Sequence, residues 1–541
     1  MKLKLVLLAA AAIGSLFSVS ASAQTYAITN ARVVTVSGGT IERGTVVIRN
    51  GLIDAVGANV AAPADAKVFD GTGLTVYPGF IDSLTNLGMP APQRPAAGGP
   101  QAQQAAPASN SNYPAGLRPE DAAIDDLKAG EAQFESARNA GFTTVVTTGR
   151  TGIFNGRSAI IDLAGDTVSS MVLRSPYAYH ISFATVGGGN YPASLLGTFS
   201  ALRQMLLDAR RLQDLEKAYA ANPRGVVRPQ PDRSLEALYP ALNRELPVVF
   251  NANRENEIVR ALDLAKEFNL RAVIAGGQEA WKLADRLKTQ NVPVLLSLNY
   301  PKRTAAASPE ADADSLDMLR FRAEAPKGAA RLAQAGVKFA FQSGGLTNLN
   351  DFFANAGKTV EGGLPHDAAV RAMTLGAAEV LDVADSTGSV EAGKIANLTV
   401  VKGDVFGKDR AVTHIFVDGK YFEQKEPPKQ PARSGAAAPS LPNVGGNYAI
   451  TIEIPGQSVT GTLAMIQQGA VVTGSIETQV TGTAPIKDGK VTAEGFTFNA
   501  TVEYAGSVIE IIVKGSVTGS NISGTIDSPQ GAIPFSGTRN P

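Results

Sequence analysis

The chain has 541 residues, with 49 Lys and Arg against 49 Asp and Glu, 3 His and no Cys. This length predicts about three or four domains, and a hydrophobic fraction of 44% predicts large folded cores. The balanced charge, without a basic stripe, argues against a nucleic-acid partner. The lack of Cys excludes disulfides, a thiolate nucleophile and a Cys-based zinc site.

The first residues have the pattern of a secretion signal. Lys2 and Lys4 precede an apolar run from Leu5 to Val19, and Ala21-Ser22-Ala23 forms a small-residue cleavage site. We therefore predict a signal peptide over residues 1–23, cleaved after Ala23, and a periplasmic or secreted mature protein. No later run reaches about 18 apolar residues, so we predict no membrane span in the mature protein.

Two low-complexity stretches divide the rest of the chain. Residues 89–116 are rich in Pro, Ala, Gln and Gly and predict a mobile loop, whereas the Pro-rich residues 426–446 predict an interdomain linker. The residues before the first stretch are strand-like, and Asn50-Gly51 between two short β-rich runs is typical of a hairpin turn.

Between the two stretches, apolar strands alternate with amphipathic helices. The predicted strands include Phe142–Thr147, Pro247–Asn251, Arg271–Gly276, Val292–Leu296 and Val337–Phe341, and the predicted helices include Thr198–Leu215, Glu255–Phe268 and Glu279–Leu287. Apolar strands of this kind indicate a parallel sheet buried on both faces. A length of about 300 residues favours an α/β fold of the closed (β/α)8 type, which we assign to residues 78–384.

Residues 447–541 are different. Tyr448, Ile450 and Ile452 alternate with small or polar residues, and almost nothing in this region has a helical pattern. The region predicts a C-terminal all-β domain, either an antiparallel barrel or a sandwich.

Several motifs resemble the amidohydrolase superfamily. Residues 76–88, VYPGFIDSLTNLG, resemble its first barrel strand, in which PGFID is followed by His-x-His. Residues 362–380 and 387–398 resemble its closing helix and return strand, and the middle section is most similar to the secreted imidazolonepropionase-related group. The resemblance implies a metal-dependent hydrolase of non-peptide carbon–nitrogen bonds. Its TIM-like (β/α)8 barrel would sit beside a small β-sandwich composed of residues 24–77 and 385–425.

The metal ligands that the resemblance implies are substituted in this sequence. Members of the superfamily hold zinc or another divalent ion with four His, one Asp and often a carboxylated Lys. The aligned positions here carry Leu84 and Asn86 at the His-x-His pair, Asn251 on strand five, Gly276 on strand six and Gly344 on strand eight. We therefore predict no metal cofactor and no catalytic residue of the family type.

The three His and the nearby Asp82 have plainer interpretations. His180 is predicted in a loop, His366 at a helix start and His414 in the return strand, each with a structural or solvated role. A catalytic role for His180 stays open as an alternative. Asp82 is predicted to be a buried structural carboxylate.

Neutral polar side chains and one guanidinium remain at the predicted barrel mouth: Asn86, Asn251, Arg254, Gln342 and Ser343. They can hydrogen-bond a carbonyl or carboxylate of a small molecule, but they cannot ionise a water. The sequence therefore favours a non-catalytic ligand-binding protein or the partner subunit of a metal-containing relative. The alternative is an active hydrolase of an amide or cyclic imide with a weak or relocated site.

Overall fold

A computed structural model describes residues 24–90, 113, 116–130, 132–183, 191–302, 314–346, 348–424, 441–454, 457–492, 495–504, 507–528 and 531–540. The chain separates into two compact units, Met1–Gln424 and Lys425–Pro541, called here the first and the second unit. The predicted signal peptide, most of the predicted loop 89–116 and most of the predicted linker 426–446 lie outside the described residues. No helix within the described ranges is long and apolar enough to cross a bilayer.

One sheet of the first unit combines strands from the start and from the end of that unit's sequence, called here its two flanks. Its eight strands are β1 Tyr26–Val34, β2 Thr40–Arg49, β3 Leu52–Gly57, β4 Lys67–Asp70, β5 Leu74–Pro78, β16 Leu398–Lys402, β17 Ala411–Val417 and β18 Lys420–Glu423. The order across the sheet is β18-β17-β16-β5-β1-β2-β3, and β4 pairs with β1. The flanks join where β5 and β16 run antiparallel, with Pro78 opposite Leu398. The strands of the predicted β-sandwich are thus hydrogen-bonded into one sheet, and buried side chains from both flanks pack in one apolar cluster.

The hairpin signal in this sheet is confirmed. Asn50 and Gly51 connect β2 to β3 with φ values of 54° and 82°, which is the left-handed pair that a tight hairpin turn requires. Asn and Gly tolerate this conformation better than other residues, so the dipeptide fixes where the strand turns.

Ten further strands of the first unit form two more sheets. They are β6 Phe80–Thr85, β7 Phe142–Thr147, β8 Phe154–Arg157, β9 Ala159–Asp162, β10 Val172–Arg174, β11 Tyr179–Ser182, β12 Val248–Ala252, β13 Ala272–Gly276, β14 Val294–Ser297 and β15 Phe339–Gln342. One sheet has the order β10-β9-β7-β6, and the other has the order β15-β14-β13-β12-β11-β8. Strands β11 to β15 are mutually parallel, as are β6 and β7.

The two sheets meet along both of their edges. β8 pairs antiparallel with β11, and β9 pairs antiparallel with β7, while Ser158 between β8 and β9 donates its backbone N–H to Ala178 at 2.9 Å. At the other edge, the backbone N–H of Ser343, just after β15, donates to Oδ1 of Asp82 on β6 at 2.9 Å. The sequence predicted the parallel strands, but it did not predict that 154–162 would run antiparallel to its neighbours.

Helices of the first unit alternate with these strands. They are α1 Ala123–Asp126, α2 Ala132–Ala140, α3 Val168–Met171, α4 Leu195–Ala221, α5 Arg233–Glu236, α6 Tyr239–Leu242, α7 Glu255–Phe268, α8 Ala284–Thr289, α9 Leu316–Glu324, α10 Gly328–Ala335, α11 Asn350–Glu361, α12 His366–Ala372 and α13 Leu375–Val380, with 3-10 turns at Ala280–Leu283 and Ala325–Lys327.

Alternate residues of the parallel strands enter two different cores. Val248 and Phe250 pack into the large core that contains the helices, whereas Val249, Val273 and Leu295 pack into an inner cluster. Both faces of each strand are therefore apolar, which explains why the sequence of these strands shows no polar alternation.

The second unit is a closed antiparallel barrel. Its strands are β19 Gly446–Ile454, β20 Gln457–Gln468, β21 Val471–Thr478, β22 Gly482–Pro485, β23 Lys487–Thr492, β24 Gly495–Tyr504, β25 Ser507–Thr518, β26 Asn521–Ser528 and β27 Gly531–Arg539. Eight strands follow the order β20-β19-β27-β26-β25-β24-β23-β21, pairing of β20 with β21 closes the ring, and β22 pairs outside it with β21. The structure thus decides between the two predicted forms of this domain in favour of the barrel.

Candidate functional site

A cavity of about 780 Å³ opens at the carboxyl ends of the parallel strands in the first unit. The segments that follow different strands converge there, because parallel strands end on the same side of their sheet. At or just after the ends of strands β6, β7, β12, β13, β14 and β15, the lining contains, in order, Asn86, Thr148, Asn251, Gly276, Ser297 and Gln342.

Four of the five predicted binding residues lie in this cavity. Asn86, Asn251, Gln342 and Ser343 all line it. Arg254 does not, because it is the residue before helix α7 and its side chain is engaged elsewhere. Its guanidinium carbon lies 3.7 Å from the ring centroid of Phe321, and its Nη1 lies 3.4 Å from Oε1 of Glu279.

Two of the amides are held by the backbone. Nδ2 of Asn86 donates to the carbonyls of Thr148 and Gly149 at 2.7 and 3.2 Å, and Nε2 of the buried Gln342 donates to the carbonyl of Leu295 at 2.9 Å. Each amide therefore has a fixed orientation, and its oxygen has no hydrogen bond within the described ranges. Such an oxygen can accept a hydrogen bond from a ligand.

Two other amides carry free hydrogen-bonding groups. The side chain of Asn251 makes no hydrogen bond to any described residue, and Oδ1 of Asn155 is buried without a partner among them. A buried polar atom without a partner costs about 1–3 kcal/mol, which a ligand that bonds to it would recover. Sequence reasoning missed Asn155 because it lies on the antiparallel strand β8, which no periodicity indicated.

Among the described residues that line the cavity, two are charged: Arg150 is positive and Glu257 is negative. Oε2 of Glu257 accepts hydrogen bonds from the backbone N–H groups of Asn253 and Arg254, at 2.8 and 3.1 Å. This carboxylate therefore caps the start of helix α7. The sequence indicated neither residue as part of the site.

Glycines occupy two of the positions that the family resemblance aligns with metal ligands, and both have a conformation and neighbours that disfavour a side chain. Gly276 and Gly344 have φ values of 90° and 61°, which a residue with a Cβ rarely adopts. A Cβ on Gly276 would lie 2.5 Å from Oδ1 of Asn253, and one on Gly344 would lie 2.1 Å from Oγ of Ser297. A His or Asp at either position would take an unfavourable backbone conformation and would displace the side chain of Asn253 or Ser297.

The donor set of the cavity does not fit the metal that the family resemblance implies. Zinc in proteins is held by imidazole, thiolate and carboxylate groups. The cavity lining offers amides, hydroxyls and the single carboxylate of Glu257. Nowhere among the described residues do three His, Asp or Glu side chains lie close enough together to hold a metal ion.

His180 lies on strand β11, so its predicted loop position is wrong. Its side chain is fully buried, Nε2 lies 2.8 Å from Oγ of Ser158, and Nδ1 has no partner among the described residues. Burial lowers the pKa of His180 to about 3, so the imidazole is neutral at physiological pH. His180 does not line the cavity.

The other two His lie in the predicted elements. His366 begins helix α12 with Nε2 3.3 Å from Oδ1 of Asp404, and the ring of His414 on β17 packs 4.9 Å from the ring of Phe69.

Asp82 is a buried carboxylate beside the cavity residue Ser343. Its Oδ1 accepts the backbone N–H of Ser343, and Oδ2 has no partner among the described residues. Burial raises the pKa of Asp82 to about 7, against the hydrogen bonds from Ser343 and Leu84, which lower it. Asp82 does not itself line the cavity.

The comparisons with known proteins concern mainly the first unit. Residues 322–422 match the sequence model of the Amidohydrolase family. An amidohydrolase from Thermotoga maritima MSB8 superposes with a TM-score of 0.60 at 23% identity, over 74% of this chain and 100% of its own. A putative prolidase from Bifidobacterium longum, 16% identical, covers 74% of this chain and 95% of its own with a TM-score of 0.45. No curated protein matches the chain.

Proposed function

From its confirmed resemblance to the amidohydrolase superfamily, we propose that the first unit binds a small polar molecule without a metal and does not hydrolyse it. The observation that carries this proposal is the pair of glycines, Gly276 and Gly344, at two family metal positions. Their positive φ values and the close side chains of Asn253 and Ser297 disfavour a ligating side chain at both positions.

We also infer that strands β6 to β9 and β11 to β15 form one closed barrel of the (β/α)8 type, in which β8 and β9 together count as one strand. The contacts that support it are Ser343 to Asp82 at one edge of the two sheets and Ser158 to Ala178 at the other. The strand 154–162 is then the single antiparallel member of the ring. The cavity at the carboxyl ends of the strands lies where barrels of this type place their ligands.

The chemistry of the cavity supports binding over hydrolysis. Hydrolysis of a carbon–nitrogen bond at neutral pH requires an activated nucleophile, and in the superfamily a bound metal supplies one by lowering the pKa of a water. Amides and hydroxyls do not lower the pKa of water, but they form directional hydrogen bonds with carbonyl and N–H groups. Asn86, Asn155, Asn251 and Gln342 are thus suited to a ligand that carries both donors and acceptors.

We also propose that the protein acts outside the cytoplasm. The pattern of residues 1–23 supports export to the periplasm or beyond, with Gln24 as the first residue of the mature chain. A metal-containing relative could supply hydrolysis as a partner subunit while this chain binds the small molecule. Intact mass spectrometry of the exported protein tests the first point, and retention of Met1 would contradict it.

Elemental analysis together with an activity screen tests the proposed function. The full-length protein is dialysed, its zinc and manganese are measured, and hydrolysis of amides and cyclic imides is followed with and without added metal. We expect less than about 0.1 equivalent of metal and no turnover above the uncatalysed rate. Stoichiometric metal together with turnover that a chelator abolishes would overturn the proposal.

A double variant makes the same test sharper. Leu84→His with Asn86→His restores the His-x-His pair, but Gly276 and Gly344 still leave two strands without ligands. We expect this variant to bind zinc no more tightly than about 1 μM and to remain inactive, because two imidazoles seldom hold a catalytic zinc. Tight zinc binding with turnover would show that the site needs only these two ligands.

One observation favours a hydrolase with a relocated site. Asp82 has a pKa of about 7, which is suitable for a general acid or base. The carboxylate does not line the cavity, however, and Ser343 covers its Oδ1. Turnover in the same screen that persists with a chelator and disappears in Asp82→Asn would establish this alternative.

A further inference from the structure

We propose that Arg150 binds a carboxylate group of the ligand, so that the cavity selects anionic small molecules over neutral ones. This inference rests on the proposed binding function and names the chemical class of the ligand.

Among the described residues, Arg150 is the cation of the cavity and no acidic side chain pairs with it. It follows β7 and is the one Lys or Arg among the described residues that line the cavity. Its Nη2 donates to the carbonyl of Asn86 at 2.9 Å and lies 3.5 Å from the carbonyl of Met89. Its Nε and Nη1 have no partner in the part of the chain that the structure describes. A guanidinium with two free donor groups matches the two oxygens of a carboxylate.

The guanidinium is attached to a segment that is itself held in place. Asn86 accepts a hydrogen bond from Arg150 through its backbone carbonyl, while its side chain donates to Thr148 and Gly149, the two residues before Arg150. These bonds tie the end of β6 to the segment after β7. Because the arginine is already oriented, a ligand that binds to it loses less conformational entropy than it would with a free side chain.

The one carboxylate of the cavity does not neutralise Arg150. Glu257 lies farther than ion-pair distance from it, and Oε2 of Glu257 already accepts two backbone N–H groups at the start of helix α7. The positive charge of Arg150 is thus available to a ligand. The free amide of Asn251 provides a further donor for a carboxylate or carbonyl oxygen.

Arg254, in the same unit, provides a comparison, because its guanidinium is engaged with other side chains of the protein. It lies against the ring of Phe321 and forms an ion pair with Glu279, whose side chain is largely buried. Arg150 has neither an aromatic partner nor an acidic one among the described residues. The difference separates an arginine that stabilises the fold from one that is free to bind a ligand.

The test uses sodium propionate and propionamide, which have nearly the same shape and differ in charge. Binding of each probe to the full-length protein is measured by ligand-observed NMR up to about 50 mM, since probes of this size bind weakly. We expect saturable binding of propionate that is about tenfold tighter than that of propionamide. Arg150→Gln should weaken propionate binding at least about tenfold and should change the affinity for propionamide by less than about twofold.

Arg244→Gln is the matched control. Arg244 is also exposed and also donates to a backbone carbonyl, that of Asn269 at 3.0 Å, but it lines a different cavity. This variant should bind both probes as the wild type does. Arg150→Lys should give an intermediate affinity, because it keeps the charge and loses the paired donors.

Three results would overturn the role of Arg150: no saturable propionate binding by the wild type, equal affinity for both probes, or propionate binding that Arg150→Gln does not weaken. If propionamide still binds and the protein is metal-free and inactive, the proposed binding function stands and this inference alone fails. If metal-dependent turnover is found, the proposed function fails whatever the probes show.

Discussion

The two ends of the parallel strands use similar polar residues in opposite ways. At the amino end, Oδ1 of the buried Asp162 accepts hydrogen bonds from Oγ1 of Thr144 at 2.6 Å and Nδ2 of Asn397 at 3.0 Å, and Oδ1 of Asn397 accepts the backbone N–H of Asp418 at 2.8 Å. At the carboxyl end, Asn251 makes no such bond to a described residue. Polar groups that are satisfied within the protein stabilise it, and those that are not can bind a ligand.

The largest expected effect is at the satisfied end. Asp162→Ala removes the acceptor of two buried donors and should lower the free energy of unfolding by about 3–4 kcal/mol. Urea unfolding can be followed by fluorescence of Trp281, the single Trp of the chain, which lies in the first unit. Asp162→Asn keeps an acceptor and should cost less than about 1 kcal/mol. Equal losses in the two variants would show that the network contributes little.

At the cavity end, the backbone should matter more than the side chains. Gly344→Ala places a Cβ 2.1 Å from Oγ of Ser297 at a positive φ and should cost about 2–3 kcal/mol. Gly345→Ala is the control, since it also has a positive φ, 79°, but a Cβ there meets nothing within 4 Å. It should cost about 1 kcal/mol, the conformational part alone. If both variants lose the same amount in urea unfolding, the contact with Ser297 is not what excludes a side chain.

Asp82 is intermediate between the satisfied and the unsatisfied polar groups. Its Oδ1 accepts a hydrogen bond, and its Oδ2 has no partner among the described residues. Its pKa in the folded state is about 7, above the ordinary value, so the folded chain binds the proton more tightly than the unfolded chain. Its contribution to stability is present below about pH 4 and is lost as the pH rises through about 7.

The difference between wild type and Asp82→Asn isolates this contribution, since His180 and the other titrating groups are common to both. Between pH 4 and pH 8 the wild type should lose about 3–4 kcal/mol more of its unfolding free energy than the variant does. Unfolding free energies measured at several pH values check this. Parallel profiles of the two proteins would mean that Asp82 is not the group that titrates.

The smallest effect is expected at the unbonded amide. Asn251→Ala should change the free energy of unfolding by less than about 0.5 kcal/mol, since its amide makes no hydrogen bond to the described residues. The matched variant at the satisfied end, Thr144→Ala, should cost about 1–2 kcal/mol, because it removes a bond to Asp162. A large loss in Asn251→Ala would remove the contrast between the two ends.

Regular elements were predictable because their signals are local. Helix Glu255–Phe268 was predicted with the ends that the structure shows, because its apolar residues recur at helical spacing and Asn269 takes the left-handed conformation that ends it. The strand with His180 was missed, since Tyr177-Ala178-Tyr179-His180 is four residues without a periodic pattern. The antiparallel strand 154–162 was missed for the same reason, and Gly156 within it has a positive φ.

The site was predictable as a position and less so as a set of side chains. Resemblance to a family strand placed Asn86, Asn251, Gln342 and Ser343 at strand ends, and the structure brings these four to one cavity. The resemblance could not show that the side chain of Arg254 points away from the cavity. The direction of a side chain at a helix start depends on partners such as Phe321 that lie far along the chain. Arg150 lies in an irregular segment, where no periodicity distinguishes one polar residue from another.

The sheet that joins the two flanks of the first unit also constrains the order of folding. β5 and β16 are neighbours in space, but the residues of the whole central region separate them in the chain. The sheet cannot be completed until β16 to β18 are available, so β1 to β5 keep an unpaired edge until the end of the first unit can reach them. Contacts between such distant segments form slowly. The chain therefore remains unfinished, and open to factors that bind unfolded proteins, until almost the whole first unit has emerged.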